Sequence, residues 1–524
     1  MAFTHPGSRG LRTYLLLSGL AAHAAAAAVL LAWMLLFPDY GLGDLLHKAK
    51  QRFGDSHPTA TALIDATIRV TGLQPASRAA KRTVTLPDFP GPDEWPAQGP
   101  QAEGFMRVPY DELGIPQQAA QGPFLLGPDD ELVPVRDAKG LLNALKRAKP
   151  GQIITLAPGT YHVRRRAIGL GSAGLPGRPI VVRAEHPGDV RIELDTLEGF
   201  YVDRPYWVFE NLSIHGACGN DSRCEHAFHV VGDAVGTVLR NNDLVDFNAP
   251  LKVNGLFGAE GDRFPDFGLV HNNNVYNTRV RKTGNPVTLL NINAGNGWVV
   301  SANFIADFAK GQSNRISYAA FMKSNSSDGV FERNLVVCHW RLPPEGGVRV
   351  GLSFGGGGSG ANISRQRSNR TEHTAGIMRN NIIARCPLDV GIYLNKAART
   401  QIYNNALIGT TGIDVRFATS TASIHNNILD GRIADRDGGH HSADNNLGAR
   451  SCSWFARVFG GCSSADYYQA PLSGDLRVTA VERVIDQGNN DPRRELDFCG
   501  NPRHAPTDIG PIEYGAGPLC LPTL

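Results

Sequence analysis

The sequence predicts an all-β fold, a right-handed parallel β-helix, and three observations predict it. The first is a phrase of an apolar residue, two more residues and an Asn. It recurs from Val208-Phe209-Glu210-Asn211 through Leu239-Arg240-Asn241-Asn242 and Val300-Ser301-Ala302-Asn303 to Ser442-Ala443-Asp444-Asn445-Asn446. The second is its spacing. The last Asn of each phrase follows the one before at steps of 31, 31, 30, 31, 47, 24, 22 and 19 residues, as in a solenoid of short strands. The third is the Asn itself. It tolerates a left-handed backbone corner, and its amide can stack on the next coil's as a hydrogen-bonded ladder.

The elements follow in order. Residues 1–14 precede an apolar run, 15–37, broken only by Ser18 and His23. At 1.5 Å per residue it reaches roughly 35 Å, enough to cross a bilayer as an uncleaved signal anchor. A cleaved signal peptide ending near Ala22-His23-Ala24 is the rival. Residues 38–127 hold one or two short amphipathic helices and a spacer rich in Pro, Gly and Gln. The β-helix spans 128–515. Its entrance is a capping helix over Asp137 to Arg147, with Leu141, Leu142 and Leu145 on one face, and residues 516–524 form a tail. The 47-residue step carries an extra strand, Val348 to Phe354, and the loop Gly355 to Gly360 running on to His373. That loop is either a mobile flap or a tolerated insertion. A net charge of +3 with no basic block argues against nucleic acid as a partner.

The eight cysteines suggest an oxidising compartment, periplasmic in a Gram-negative host, because they fall into local pairs. Cys218 with Cys224, Cys452 with Cys462 and Cys499 with Cys520 bracket short segments. Cys338 and Cys386 follow the Asn corners of successive coils, within reach of a disulfide at the spacing of stacked strands. Buried free thiols are the alternative.

Outward side chains on successive coils form columns. One set of strands is unusually polar, with His229, Lys252, Asn254, Asn291, Asn293, Lys323, Asn325, Arg349, Tyr393, Asn395, Asp414 and Arg416. Cations and amides along one face suit an extended, acidic, hydroxyl-rich ligand such as an anionic polysaccharide. The Asn residues also serve as turn or ladder residues, His229 as a structural imidazole, and Lys252 and Arg416 as solvated charges.

The segment Phe321-Met322-Lys323-Ser324-Asn325 through Phe331-Glu332-Arg333-Asn334 resembles the Lys-Ser segment of the chondroitinase B and alginate lyase family, within the pectate-lyase-like superfamily. That resemblance implies that Lys323 removes the C5 proton of a uronate, with an Arg one coil on as acid; Arg349 is the nearest, although Ser353 aligns at its position. The family's calcium is not carried over, because Ile316 and Tyr318 stand where its acidic ligands lie. No cofactor is expected. Polygalacturonase motifs and the Asp-Pro-His-Asp signature of mannuronan C-5 epimerases are absent from the solenoid. Asp389 and Asp414, candidates for a hydrolase pair, also suit turn capping.

The expectation is a membrane-anchored, extracytoplasmic β-helix acting on an acidic polysaccharide, as a lyase. Lys323 and Arg349 would be catalytic with His229 in reserve, and Lys252, Asn291, Tyr393 and Arg416 would line the groove. A non-catalytic glycan-binding or envelope-scaffold solenoid is the alternative.

Overall fold

The computed structural model describes residues 131–343, 347–448, 463–489, 496–517, 519–521 and 524. Residues 15–37, Cys452 and Cys462 lie outside them. Three parallel sheets run the length of a solenoid: sheet I with 12 strands, and sheets II and III with 10 each. One coil passes through Val238–Arg240 in sheet I, Asp243–Val245 in sheet II and Leu251–Asn254 in sheet III. It then returns to sheet I at Leu269–His271. Inward positions are apolar coil after coil: Phe228 and Val230, Leu251 and Val253, Leu290 and Ile292, Met322, Leu352 and Phe354 are all buried in one continuous core. Period-2 alternation in each strand thus fills the inside and leaves every second side chain facing out.

The expected cap is present. A helix over Ala138–Arg147 starts at Asp137, whose carboxylate accepts from the Gly140 N–H at 2.6 Å. Its Leu141 and Leu145 are fully buried at the end of the core.

The Asn ladder is present in a form that corrects one expectation. Asn242, Asn273, Asn303, Asn334, Asn381, Asn405, Asn427 and Asn446 stack in line. Each Nδ2 donates to the Oδ1 of the next at 2.8–3.1 Å. The same Oδ1 accepts the backbone N–H of the Asn before it. A carbonyl of the same turn and one of the coil before take the remaining amide proton, as Ser301 O and Val270 O do for Asn303. The left-handed residue is the one before the ladder Asn: Asn241, Asn272, Ala302, Arg333, Asn380, Asn404, Asn426 and Asn445, with φ from 52° to 57°. Ala302 and Arg333 show that the corner does not require Asn. The buried ladder does. Asn211, read as the first ladder residue, aligns instead with this left-handed row, and Leu212 takes the ladder position of its coil.

The coil stack ends at His440–Asp444. The described residues beyond it fold back: Tyr467, Tyr468, Leu476, Val484, Ile509, Ile512 and Leu524 pack on Phe304, Leu335, Ile382, Ala406 and Ile408 of sheet II. This segment covers the later strands of sheet II. Sheet III keeps its polar outer face. Disulfides join Cys218 to Cys224, Cys338 to Cys386 across successive coils, and Cys499 to Cys520. Among the described residues no helix is long and apolar enough to cross a membrane.

Truncating a ladder Asn strands buried donors. Asn303→Ala removes the acceptor of both Asn273 N–H groups, so urea unfolding should show a loss of about 1–3 kcal/mol. Ala302→Gly, at the left-handed corner, should be neutral or stabilising by up to about 1 kcal/mol. Equal effects at the two positions would contradict the ladder as the source of stability.

Candidate functional site

The polar strands singled out by sequence all belong to sheet III, and backbone pairing fixes their order. Tyr201, His229, Lys252, Asn291, Phe321, Ser353, Tyr393 and Asp414 stand opposite one another on successive strands. They form one outward column. A second lies two residues further along each strand, where Asn293 faces Lys323, and Asn395 faces Arg416 and then Arg436.

Amide side chains wire the middle of these columns together. Lys252 Nζ donates to Asn291 Oδ1 at 2.9 Å. Asn293 Nδ2 donates to Asn291 Oδ1 at 2.9 Å and to Asn254 Oδ1 at 3.2 Å. Asn254 Nδ2 in turn donates to His229 Nε2 at 3.1 Å, which leaves the ring proton on Nδ1, donated to Glu198 at 2.6 Å. Both nitrogens of His229 are therefore engaged, and its reserve role as a base lacks a free lone pair. Asn254, Asn291 and Asn293 are neither solvent-facing ligand contacts alone nor a core ladder, whereas Asn325 donates to Arg365 O and Asn395 to the Tyr393 hydroxyl. The first three form a surface network that holds Lys252 and His229 in place.

The two lysines differ in their surroundings. Burial depresses Lys252 to about 7, helped by the charge of Lys323 and opposed by Glu225. Burial also lowers Lys323, with Glu372 opposing. Lys323 Nζ donates to Gly357 O at 3.0 Å and lies 4.6 Å from the Phe321 ring centre. Of the two, Lys252 is therefore depressed into the range where a substantial fraction is neutral near pH 7. The sequence places both on this face, and the base role expected of Lys323 comes from the resemblance of its Lys-Ser segment.

Arg349 does not join them. It is 1% exposed, donates to Cys338 O at 2.7 Å and Pro343 O at 2.8 Å, and lies 3.9 Å from Asp307. It pairs with Ser317, whereas Met322 pairs with Phe354, so Arg349 sits roughly 20 Å of strand from Lys323. Arg416 and Tyr393 do share the groove, further along: Arg416 donates to the Tyr393 hydroxyl at 3.2 Å and pairs with Asp437. Asp414 is paired with Arg436, and Asp389 caps Val390 N–H at 2.8 Å, so neither carboxylate opposes the other across a substrate site. Ile316 and Tyr318 offer no carboxylate for calcium, and Tyr318 packs with Val350, Val390 and Tyr393. The residues present do not fit the calcium site that the resemblance would bring.

The glycine-rich insertion is held down. Glu372 accepts from Ser359 Oγ at 2.9 Å and from Ser324 N–H at 3.2 Å, tying the loop to the end of the Lys323 strand. Gly355 has φ 74°, and a Cβ there would meet Asn395 O at 1.9 Å, so the close approach needs glycine. Beyond it, Arg365 pairs with Asp266 and stacks 3.9 Å from Phe264. Arg367 bonds Asp262 at 2.9 Å. The insertion therefore walls the groove beside Lys323.

No family model matches this sequence, and no curated protein matches it. A solved structure of a pectate lyase, Pel9A, aligns with a TM-score of 0.52 at 15% identity, over 71% of this chain and 90% of that one. The PL6 family alginate lyase AlyGC gives a TM-score of 0.34 at 12% identity, over 74% of this chain and 57% of that one. A mannuronic acid specific family 6 lyase from human gut microbiota gives 0.38 at 18%, over 60% and 72%. The likeness to Pel9A is one of fold, a parallel β-helix of three long sheets.

Glu372→Ala should release the loop. Limited proteolysis should then cut between 355 and 371 several times faster than in the wild type, with the coils intact by circular dichroism. An unchanged cleavage rate would mean that the arginine pairs alone hold the wall.

Proposed function

We propose that this protein acts on an acidic polysaccharide by β-elimination at a uronate C5, with its β-helix outside the cytoplasm. The observation that supports it most is the Lys252–Lys323 pair, set in an amide network on the open face of sheet III. Proton abstraction beside a carboxylate needs a base that is neutral at working pH and a positive charge near the developing enolate. Lys252 is suited to the first task and Lys323 to the second. This exchanges the roles expected from sequence and removes Arg349 from the chemistry.

In the proposed step, neutral Lys252 takes the C5 proton. The released electron pair forms the C4–C5 double bond as the C4–O glycosidic bond breaks. The ammonium of Lys252, on the same side of the ring, can return the proton to the leaving oxygen, so no second acid is required. Tyr393 and Arg416, further along the column, would hold neighbouring sugar units. Three disulfides and the apolar run at 15–37 support an anchored, extracytoplasmic protein.

Incubation with a panel of uronate polymers should produce the ultraviolet absorbance of an unsaturated uronate. Lys252→Ala should lower the rate by at least about a hundredfold. Lys323→Ala should lower it with a larger rise in KM, and Arg416→Ala should mainly raise KM. Polymer binding without product in the wild type would favour the glycan-binding scaffold instead. In cell fractionation the full-length chain should stay with carbonate-washed membranes; a shortened soluble chain would overturn the anchor.

A further inference from the structure

We propose that Glu198, His226 and His229 form a site for a divalent transition-metal ion at the head of the groove, next to Lys252. One nitrogen from each imidazole and one carboxylate oxygen lie within 4.8 Å of one another. A four-coordinate zinc site needs ligand atoms about 3.4 Å apart, so small side-chain rotations close the set.

The surroundings are those of a prepared ligand shell. His226 Nδ1 is bound to Ala249 O at 2.8 Å, which fixes the ring and leaves Nε2 to ligate. A backbone carbonyl on the far nitrogen is the usual orienting partner of a metal-bound histidine. His226 and His229 have ring centres 5.1 Å apart, and Tyr201 lies edge-on to His229 at 5.5 Å. An ion between His229 and Glu198 takes the place of the Nδ1 proton, which moves to Nε2 of the same ring as it changes tautomer. Asn254 then turns its amide oxygen to accept it. Glu225, bonded to Asn248 and Asn285, adds negative charge behind the site.

Two imidazoles and one carboxylate select zinc, iron, cobalt or nickel over calcium, which takes six to eight oxygen ligands. The location gives the ion a task. His229 stands opposite Lys252 in the strand register. On the lyase reading, an ion there would add its charge to that of Lys323 in neutralising the substrate carboxylate whose neighbouring proton Lys252 removes.

The site is tested without substrate, so its outcome stands apart from the polysaccharide assignment. Full-length protein is stripped with chelator and titrated with Zn2+, Co2+ and Ca2+ by calorimetry and visible absorption. Expected are about one equivalent of Zn2+ bound in competition with Co2+, a Co2+ spectrum of nitrogen ligation, and no heat from Ca2+. His226→Gln and Glu198→Gln should each weaken Zn2+ binding by at least about tenfold and abolish the Co2+ bands. His441→Gln, which removes a surface imidazole far along the solenoid, should change neither. Absence of stoichiometric binding, or binding and bands unaltered in His226→Gln and Glu198→Gln, would overturn the site.

Discussion

The coil stack depends on a line of buried amides. Every coil of a parallel β-helix must reverse direction inside a few residues, and the tight turn between sheets I and II aims peptide N–H groups at the interior. A buried donor without a partner costs about 1–3 kcal/mol. From Asn242 to Asn446, one side chain per coil meets that need by accepting two donors from the coil before and giving its own protons onward and to backbone carbonyls. The ladder sets the register of sheet I on its neighbours, and sheets II and III follow because coil length between corners can vary only in the outer loops.

That register is what makes a site out of separated residues. His229, Lys252 and Asn291 come from three coils, yet their strands pair residue for residue. Once aligned, an outward column on a solenoid is an extended surface, matched in shape to a linear polymer. Sheet II presents such a surface too, but the returning C-terminal segment covers its later strands. Sheet III carries the polar face, and the insertion after Lys323 adds a wall there rather than a strand elsewhere.

Electrostatics then divides labour within the column. Two partly buried lysines with one strand between them on the same face cannot both carry full charge at low cost. Glu372 favours the ammonium of Lys323, while Lys252 has burial and its cationic neighbour against it. The amide network matters here because Asn side chains accept a proton donor without adding charge. Carboxylates in their place would hold Lys252 fully protonated.

The repeat of an Asn phrase, the alternation in the strands, the capping helix with Leu141 and Leu145, and three of the cysteine pairs were determined by sequence alone, since each is a local pattern or a fixed spacing. The polar face of sheet III was legible for the same reason. What only the tertiary structure decided is depth and neighbourhood. A strand pattern puts Arg349 and Lys323 on the same sheet, but Arg349 is turned into the protein toward Cys338 O and Asp307. Glu198 lies 31 residues before His229, and its side chain meets the His226–His229 pair only when coils stack. Spacing also could not show that Asn211 belongs to the left-handed row, because one residue of shift in a turn leaves the sequence period unchanged. Periodicity is written along the chain, whereas burial, pairing and charge coupling arise between coils, where residues tens of positions apart share one dielectric environment.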